Sequence, residues 1–166
     1  MSELVFTIAT MRPEDHDAVE RLHARAFGPG RFARTAYRVR EQVGDAEGLA
    51  YVAHVGSLLV AAVHLTPIRI GEHPAFMLGP LTVDPPFEGK GIGRALLERS
   101  AHAVRALRRD LIVLVGDEPY YARSGYKRVP PGRMILPGPV NPMRVLALEL
   151  EPGALARVSG EVRGSA

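Results

Sequence analysis

Three glycines at alternate positions, Gly89, Gly91 and Gly93, separate a stretch ending "LTVDPPFE" from one beginning "RALLERS". Ordering a glycine costs about 0.5–1 kcal/mol relative to alanine, so three within five residues mark a place where the shape of the backbone is being used. A turn of little bulk that opens a helix aims several free N–H groups at one point, and the helix dipole adds to them. Such a terminus receives phosphate or pyrophosphate; on pattern alone a plain structural turn is the alternative. Two better known phosphate motifs do not fit. A Walker loop needs glycine where Asp84 stands and Ser or Thr where Gly91 stands. The dinucleotide fingerprint needs a third glycine at position 94, which is Arg94, and belongs after the first strand of a fold.

Composition narrows the setting. The chain has no cysteine, which excludes disulfides, zinc–thiolate sites and cysteine nucleophiles and favours a reducing, cytoplasmic compartment; no metal is expected. Its 21 basic and 18 acidic residues leave a net charge of only +3, and the two signs are interleaved, which argues against nucleic acid. "VRALRRD" is the densest basic stretch and reads as a solvated helix end. No apolar run reaches the roughly 18–20 residues of a membrane span. "MSELVFTIAT" lacks a basic leader and is not expected to be a signal peptide. A length of 166 residues suits one domain, 1–166, with one buried core.

The elements that must position the glycines follow from periodicity. "LVFTIAT" reads as a first strand; Pro13, Glu14 and Asp15 make a helical first turn, and Val19, Leu22, Ala26 and Phe27 share one face of the helix, which "GPG" at 28–30 ends. Residues 32–43 suggest a second, weaker helix. "LAYVAHVGSLLVAAVHLTPIRI" is expected to be two strands joined by a tight turn at Gly56-Ser57. "HPAFMLGPLTV" supplies another, with a bulge or break at Gly79-Pro80 because proline cannot donate to a ladder. The helix after the glycines buries Ile92, Leu96, Val104 and Leu107 and exposes Arg94, Glu98, Arg99 and Arg105. "LIVLVG" at 111–116 has the continuous apolar character of a central strand. A short helix near 118–124, a strand at 126–129, a Pro/Gly-rich loop and a last strand, "RVLALEL", complete a mixed α/β sheet.

"VDPPFEGKGIGRALL" resembles the acyl-CoA motif of the GCN5-related N-acetyltransferases (GNAT), Gln/Arg-x-x-Gly-x-Gly/Ala, falling on Glu88, Gly91 and Gly93. "YYARSGYKRV" resembles that family's Tyr-x-x-x-Gly-Phe/Tyr segment, and the likeness extends from the first strand to "LALEL". "LPGPVNPMRVLALELEPGAL" resembles a bacterial subgroup whose acceptors are mostly unassigned. The resemblance implies a central, mostly antiparallel sheet splayed in the middle, with helices on both faces. It implies acetyl-CoA as co-substrate, its arm between the strands at 78–83 and 111–116. Cofactor contacts would come from Leu81, Thr82, Val83, Glu88, Gly89, Lys90, Gly91, Ile92, Gly93 and Arg94. Main-chain groups of Leu81 and Val83 would bond the arm, and the amides from Gly89 to Arg94 would take the pyrophosphate. Glu88 departs from the motif, since a carboxylate beside a pyrophosphate is repulsive unless it turns outward; Lys90 and Arg94 are cations able to compensate or merely to face solvent.

The resemblance further implies direct acetyl transfer to a primary amine on a small molecule or peptide, in a ternary complex without an acyl-enzyme, and leaves a homodimer open. Tyr121, four residues before Gly125, matches the tyrosine that protonates the departing thiolate. Tyr120 reads as structural. The base is open: "FMLGPLTV" carries no acid, which leaves Glu118, Asp117 and His64, or a water chain, or an amine already neutral. Other readings are a non-catalytic acyl-CoA-binding or sensor domain, and an acyltransferase using another acyl-CoA or acceptor. The acceptor would be selected near 28–43 and by the loop "VPPGRMILPGPVNP".

Overall fold

The alternation in "LLVAAVHLTPIRI" builds the centre of the protein. In the computed structural model, which describes residues 4–27 and 49–165, this segment is strand β3 (Leu58–Ile70). Ala61, Val63 and Leu65 point to one face and Ala62, Ile68 and Ile70 to the other, all of them buried. Both faces are apolar because both are covered. Strands β1 (Thr7–Thr10) and β2 (Leu49–Val55) lie to one side and β4 (His73–Val83) to the other, all antiparallel. Gly56, at φ +60°, opens the expected turn between β2 and β3. β5 (Leu111–Val115), β6 (Lys127–Arg128) and β8 (Val145–Glu149) extend the sheet, in the order β1-β2-β3-β4-β5-β8-β6. The central sheet is therefore mostly antiparallel, with β4 and β5 running parallel inside it.

Helices cover both faces. α1 (His16–Phe27) follows a single turn at Pro13–Asp15 and seats Val19 and Leu22 on Val52, Leu59 and Ala62. The Asp15 carboxylate, 2.8 Å from the Arg12 amide, ties that turn to the chain entering it. Ala26, expected on the buried face, is exposed. α2 (Ile92–Ala106) packs Ile92, Leu96, Leu97 and Val104 against Val63, Leu65, Phe76, Leu78, Ile112 and Leu114 on the opposite face. α3 is the short helix Glu118–Ala122. The stop at 28–30 and the helix expected over 32–43 lie outside the described residues.

Two further expectations are corrected. Leu107 is 48% exposed, because it caps α2 at φ −87°, ψ 6° and leaves the helical path that buries Val104. "RVLALEL" is not the last strand. β9 (Gly160–Gly164) pairs with Ile68–Ile70 of β3, continuing the edge that β2 leaves, and runs parallel to β7 (Met134–Ile135). The tail before it drops Ala154, Leu155 and Val158 onto Met77, Leu111, Val113 and Ala147, covering the rest of α1's face of the sheet. Residues 160–164 escape sequence reading because only Val162 points inward between two glycines.

Leu96 and Leu107 offer a direct check on this packing. Leu96→Ala is expected to lower unfolding free energy by about 3 kcal/mol and Leu107→Ala by less than about 0.5 kcal/mol in denaturant titrations. Equal losses would place Leu107 in the core after all.

Candidate active site

β4 and β5 hydrogen-bond only at Phe76↔Ile112 and Met77↔Val113. Beyond those two pairs the strands no longer share a ladder, so residues 78–83 run on without a hydrogen-bonded neighbour on the β5 side. A bulge shapes this stretch of β4. Val63 of β3 stands opposite Leu81 and Leu65 opposite Leu78, so two steps on β3 answer three on β4, with Gly79 and Pro80 taking up the difference. The extra residue changes which positions face α2: Phe76 and Leu78 do so before the bulge, Leu81 and Val83 after it. Asp84 donates its amide to the Val60 carbonyl on the β3 side. By the alternation of an extended strand, Leu81 and Val83 turn their main-chain N–H and C=O toward the gap, while Thr82 turns its own toward β3.

At the end of β4 the chain makes one tight turn, Pro85–Phe87, and passes through Glu88 into the glycines. Gly89 has φ +71° and Gly91 φ +88°, both conformations that L side chains rarely adopt. A Cβ at either would meet nothing within 4 Å, so these glycines are required by backbone shape and leave open space above them. Gly91 caps α2, whose first intrahelical bond runs from the Ala95 amide to the Gly91 carbonyl at 3.1 Å. The amides of Ile92, Gly93 and Arg94 precede that bond and lack an intrahelical acceptor. Ile92 and Gly93 are buried, whereas Glu88, Lys90 and Arg94 are exposed. Arg94 pairs with Glu98 along the helix at 3.6 Å.

Two tyrosines of α3 close the site. The Tyr121 ring lies over Gly116 at the end of β5, where a Cβ would collide with it, and edge-on to Tyr126 at 5.8 Å. Tyr120 stands edge-on to Tyr121 at 4.9 Å and carries its hydroxyl to Gly93, where again a Cβ would collide. Partial burial, and then the Glu88 carboxylate, hold the Tyr120 phenol above the ordinary tyrosine range, with Arg123 opposing. Tyr120 thus sits beside the N-terminus of α2, a place that helical spacing did not assign to it; Gly93, the one glycine of the three with ordinary φ, is the signal that something large abuts it. Burial, and then Tyr121, push the Tyr126 phenol further up, and its Oη finds no hydrogen-bond partner among the described residues.

The model of the acetyltransferase (GNAT) domain matches residues 46–128, half of the 166-residue chain. The chain belongs to the GNAT acetyltransferase family. No curated protein matches it. Among solved structures, it is similar to the GNAT-family N-acetyltransferase YhbS of Escherichia coli, in complex with CoA, with a TM-score of 0.81 and 22% identity over 99% of this chain and 92% of that one. A GNAT-family acetyltransferase of Brucella melitensis, in complex with acetyl-CoA, gives 0.71 and 23% over 99% and 98%. An aminoglycoside 6′-N-acetyltransferase complexed with coenzyme A gives 0.66 and 19% over 88% and 98%. At these identities the likeness is one of fold, including the parallel pair at the centre of the sheet.

Within this GNAT fold the expected base residues stand apart. Glu118 Oε1 accepts from Arg128 Nη2 at 2.7 Å, and Asp117 Oδ1 from Arg144 Nη1 at 2.7 Å, so both carboxylates are engaged by guanidinium groups. His64 lies on β3 opposite the bulge, on the face covered by α1, with its ring 5.6 Å from that of His23. Beyond the glycines, a groove of about 310 Å³ runs along α2, facing the residues that follow α3 and Leu148 of β8. Arg94, Leu97, Arg105, Arg123 and Leu148 line it, with Glu98 as its acid. Among the described residues, no helix is long and apolar enough to cross a membrane.

The Tyr120–Gly93 contact can be tested by coupling. Gly93→Ala is expected to destabilise the fold by about 1–3 kcal/mol, and combination with Tyr120→Ala to recover at least about 1 kcal/mol of that loss. Strictly additive losses in denaturant titration would show that the two residues do not touch.

Proposed function

We propose that this GNAT acetyltransferase moves acetyl from acetyl-CoA directly to a primary amine of a small molecule or peptide. The observation that carries the reading is the early end of the β4–β5 ladder beside a glycine turn that opens α2, with free space where side chains at Gly89 and Gly91 would stand. An extended arm with amide groups fits a strand edge that has lost its neighbour, and here Leu81 and Val83 supply that edge on either side of Thr82. The pyrophosphate fits the amides from Gly89 to Arg94, with the helix dipole behind them. In this reading the groove lined by Arg94, Arg105 and Arg123 receives the nucleotide end of the cofactor, with Arg123 as the cation offered to its 3′-phosphate. Glu88 is accommodated by facing solvent, and Lys90 and Arg94 offset its charge.

Acetyl-CoA supplies an acetyl group activated as a thioester; the rest is done by side chains of this chain. An ammonium acceptor must first lose a proton, and His64 takes it, in preference to Glu118, whose carboxylate Arg128 holds. Tyr121 gives a proton to the departing sulfur, held in place by Gly116 on one side and Tyr126 on the other. The second reading is a non-catalytic acyl-CoA-binding or sensor domain, favoured by the lack of any acid in β4 and by Glu88 at the mouth of the cradle.

Three measurements decide between them. Acetyl-CoA at about 100-fold over Kd should stabilise the protein by about 2.7 kcal/mol in a thermal shift; no stabilisation at millimolar ligand would end both readings. Tyr121→Phe should cut thiol release across an amine panel at least about tenfold with unchanged acetyl-CoA affinity; equal turnover would remove Tyr121 from the mechanism. Arg123→Ala should weaken CoA about tenfold but dephospho-CoA less than about twofold, as a contact to the 3′-phosphate requires. Equal weakening of both would move that phosphate elsewhere.

A further inference from the structure

The β4–β5 ladder ends early in both directions. Toward the glycine turn it stops before the bulge at Gly79 and Pro80, and toward the start of the two strands it stops at Phe76↔Ile112. Continuing that register brings Pro74 opposite Asp110, and proline has no N–H to give to a ladder. A side-chain contact stands there instead. His73, which opens β4, donates from Nε2 to Asp110 Oδ1 at 2.7 Å, and Asp110 leads directly into β5. The second carboxylate oxygen faces the tail, where Arg157 Nη2 comes within 3.6 Å of Oδ2. Arg157 in turn is 3.7 Å from Glu151, and Glu149 holds the same tail by accepting from the Leu155 amide at 3.0 Å. The Asp110 carbonyl accepts from the Leu150 amide at 2.9 Å, just beyond β8. One residue thus gathers the starts of β4 and β5, the end of β8 and the tail. Its side chain is 19% exposed and that of His73 30%, so water screens the pair only in part.

We propose that Asp110 is the pin of the opening: held by His73 and Arg157, it sets the angle at which β4 and β5 part, and with it the fit of the cofactor's arm. The inference rests on the acetyl-CoA reading above. Its ground is leverage. A strand advances about 3.3 Å per residue, which puts the pin about 10–13 Å to one side of the two ladder pairs and Leu81 about 13 Å to the other. Each strand is bonded along its outer side, β4 to β3 and β5 to β8, so each moves as part of a larger unit. With the two ladder pairs as fulcrum, a displacement at the pin returns at the opening in like measure and opposite sense. An arm bonded to the main chain of Leu81 and Val83 is sensitive to that change, because N–H···O bonds hold only within about 2.7–3.2 Å. The nucleotide end rests on the glycine turn and the groove along α2 instead, on the other side of Val83 from the pin. Asp110, His73 and Arg157 are positioning residues, and none of them touches the cofactor.

The test compares acetyl-CoA with 3′-phosphoadenosine 5′-diphosphate, which keeps the nucleotide end and lacks the arm. Asp110→Ala is expected to raise the Kd of acetyl-CoA at least about tenfold and that of the nucleotide less than about twofold, in calorimetric titrations below the unfolding transition. Asp110→Asn serves should the alanine variant fail to fold, with a rise of at least about fivefold for acetyl-CoA. His73→Gln, which still offers the carboxylate a donor, should lose less affinity than His73→Ala. Equal weakening of both ligands, or unchanged acetyl-CoA affinity, overturns the proposal, because a pair that only stabilises the fold does not tell the two ligands apart. Amide hydrogen exchange in the free protein gives a readout without ligand. Residues 111–113 should exchange at least about fivefold faster in Asp110→Asn, while residues 58–63 of β3 keep their rate; unchanged exchange at 111–113 also overturns the pin. Wild-type protein that binds neither ligand sinks the acetyl-CoA reading instead, and that result is visible apart from the exchange measurement.

Discussion

Parallel strands exchange hydrogen bonds only while they stay about 4.8 Å apart, and β4 and β5 do so for two residue pairs before separating. The site depends on that divergence. A buried strand edge carries donors and acceptors that must be satisfied by something, so a sheet that opens in its middle creates a demand for an extended, amide-bearing partner. Every other feature of the site accommodates the opening. The bulge at Gly79 and Pro80 keeps β4 bonded to β3 while its direction changes. α2 covers one face of the gap with Leu96 and Leu97, and its N-terminus arrives where β4 ends. Gly116 admits Tyr121 at the end of β5, and Gly93 admits Tyr120 beside the helix start.

The three glycines prove to have two separate causes. Gly89 and Gly91 are fixed by positive φ, with empty space above them, whereas Gly93 is an ordinary helical residue whose missing side chain makes room for a phenol. The distinction matters electrostatically. The helix start favours negative charge at the turn, while the Glu88 carboxylate opposes it and raises the Tyr120 phenol.

Much of this was legible from residue patterns because glycine, proline and alternation have local meanings. The turn at Gly56, the irregularity at Gly79-Pro80, the central strand at 111–115 and the glycine-opened helix all follow from properties of a few consecutive residues. What sequence missed depends on distant contacts. Leu107 satisfies the helical period yet falls at a cap. Val162 is a single inward residue whose strand exists only because β3 offers a free edge. His23 shares the buried face of α1 with Val19 and Leu22, and only the fold shows that its ring meets that of His64 there. Tyr120 and Tyr121 are neighbours in a five-residue helix, too short for spacing to say which ring turns where.

The change of side-chain parity at the bulge separates two kinds of evolutionary freedom. On the α2 side, the gap and the cradle are defined by backbone path, so they tolerate exchange of most side chains but no insertion or deletion between Leu78 and Leu81. Loss of one residue there would turn Leu81 and Val83 to the wrong face and register Thr82 toward α2. On the α1 side, the surface is made of side chains alone and can be rebuilt one substitution at a time without disturbing the ladder. The path of this strand is therefore held by its residue count, while its α1 face is held by side chains that can change singly.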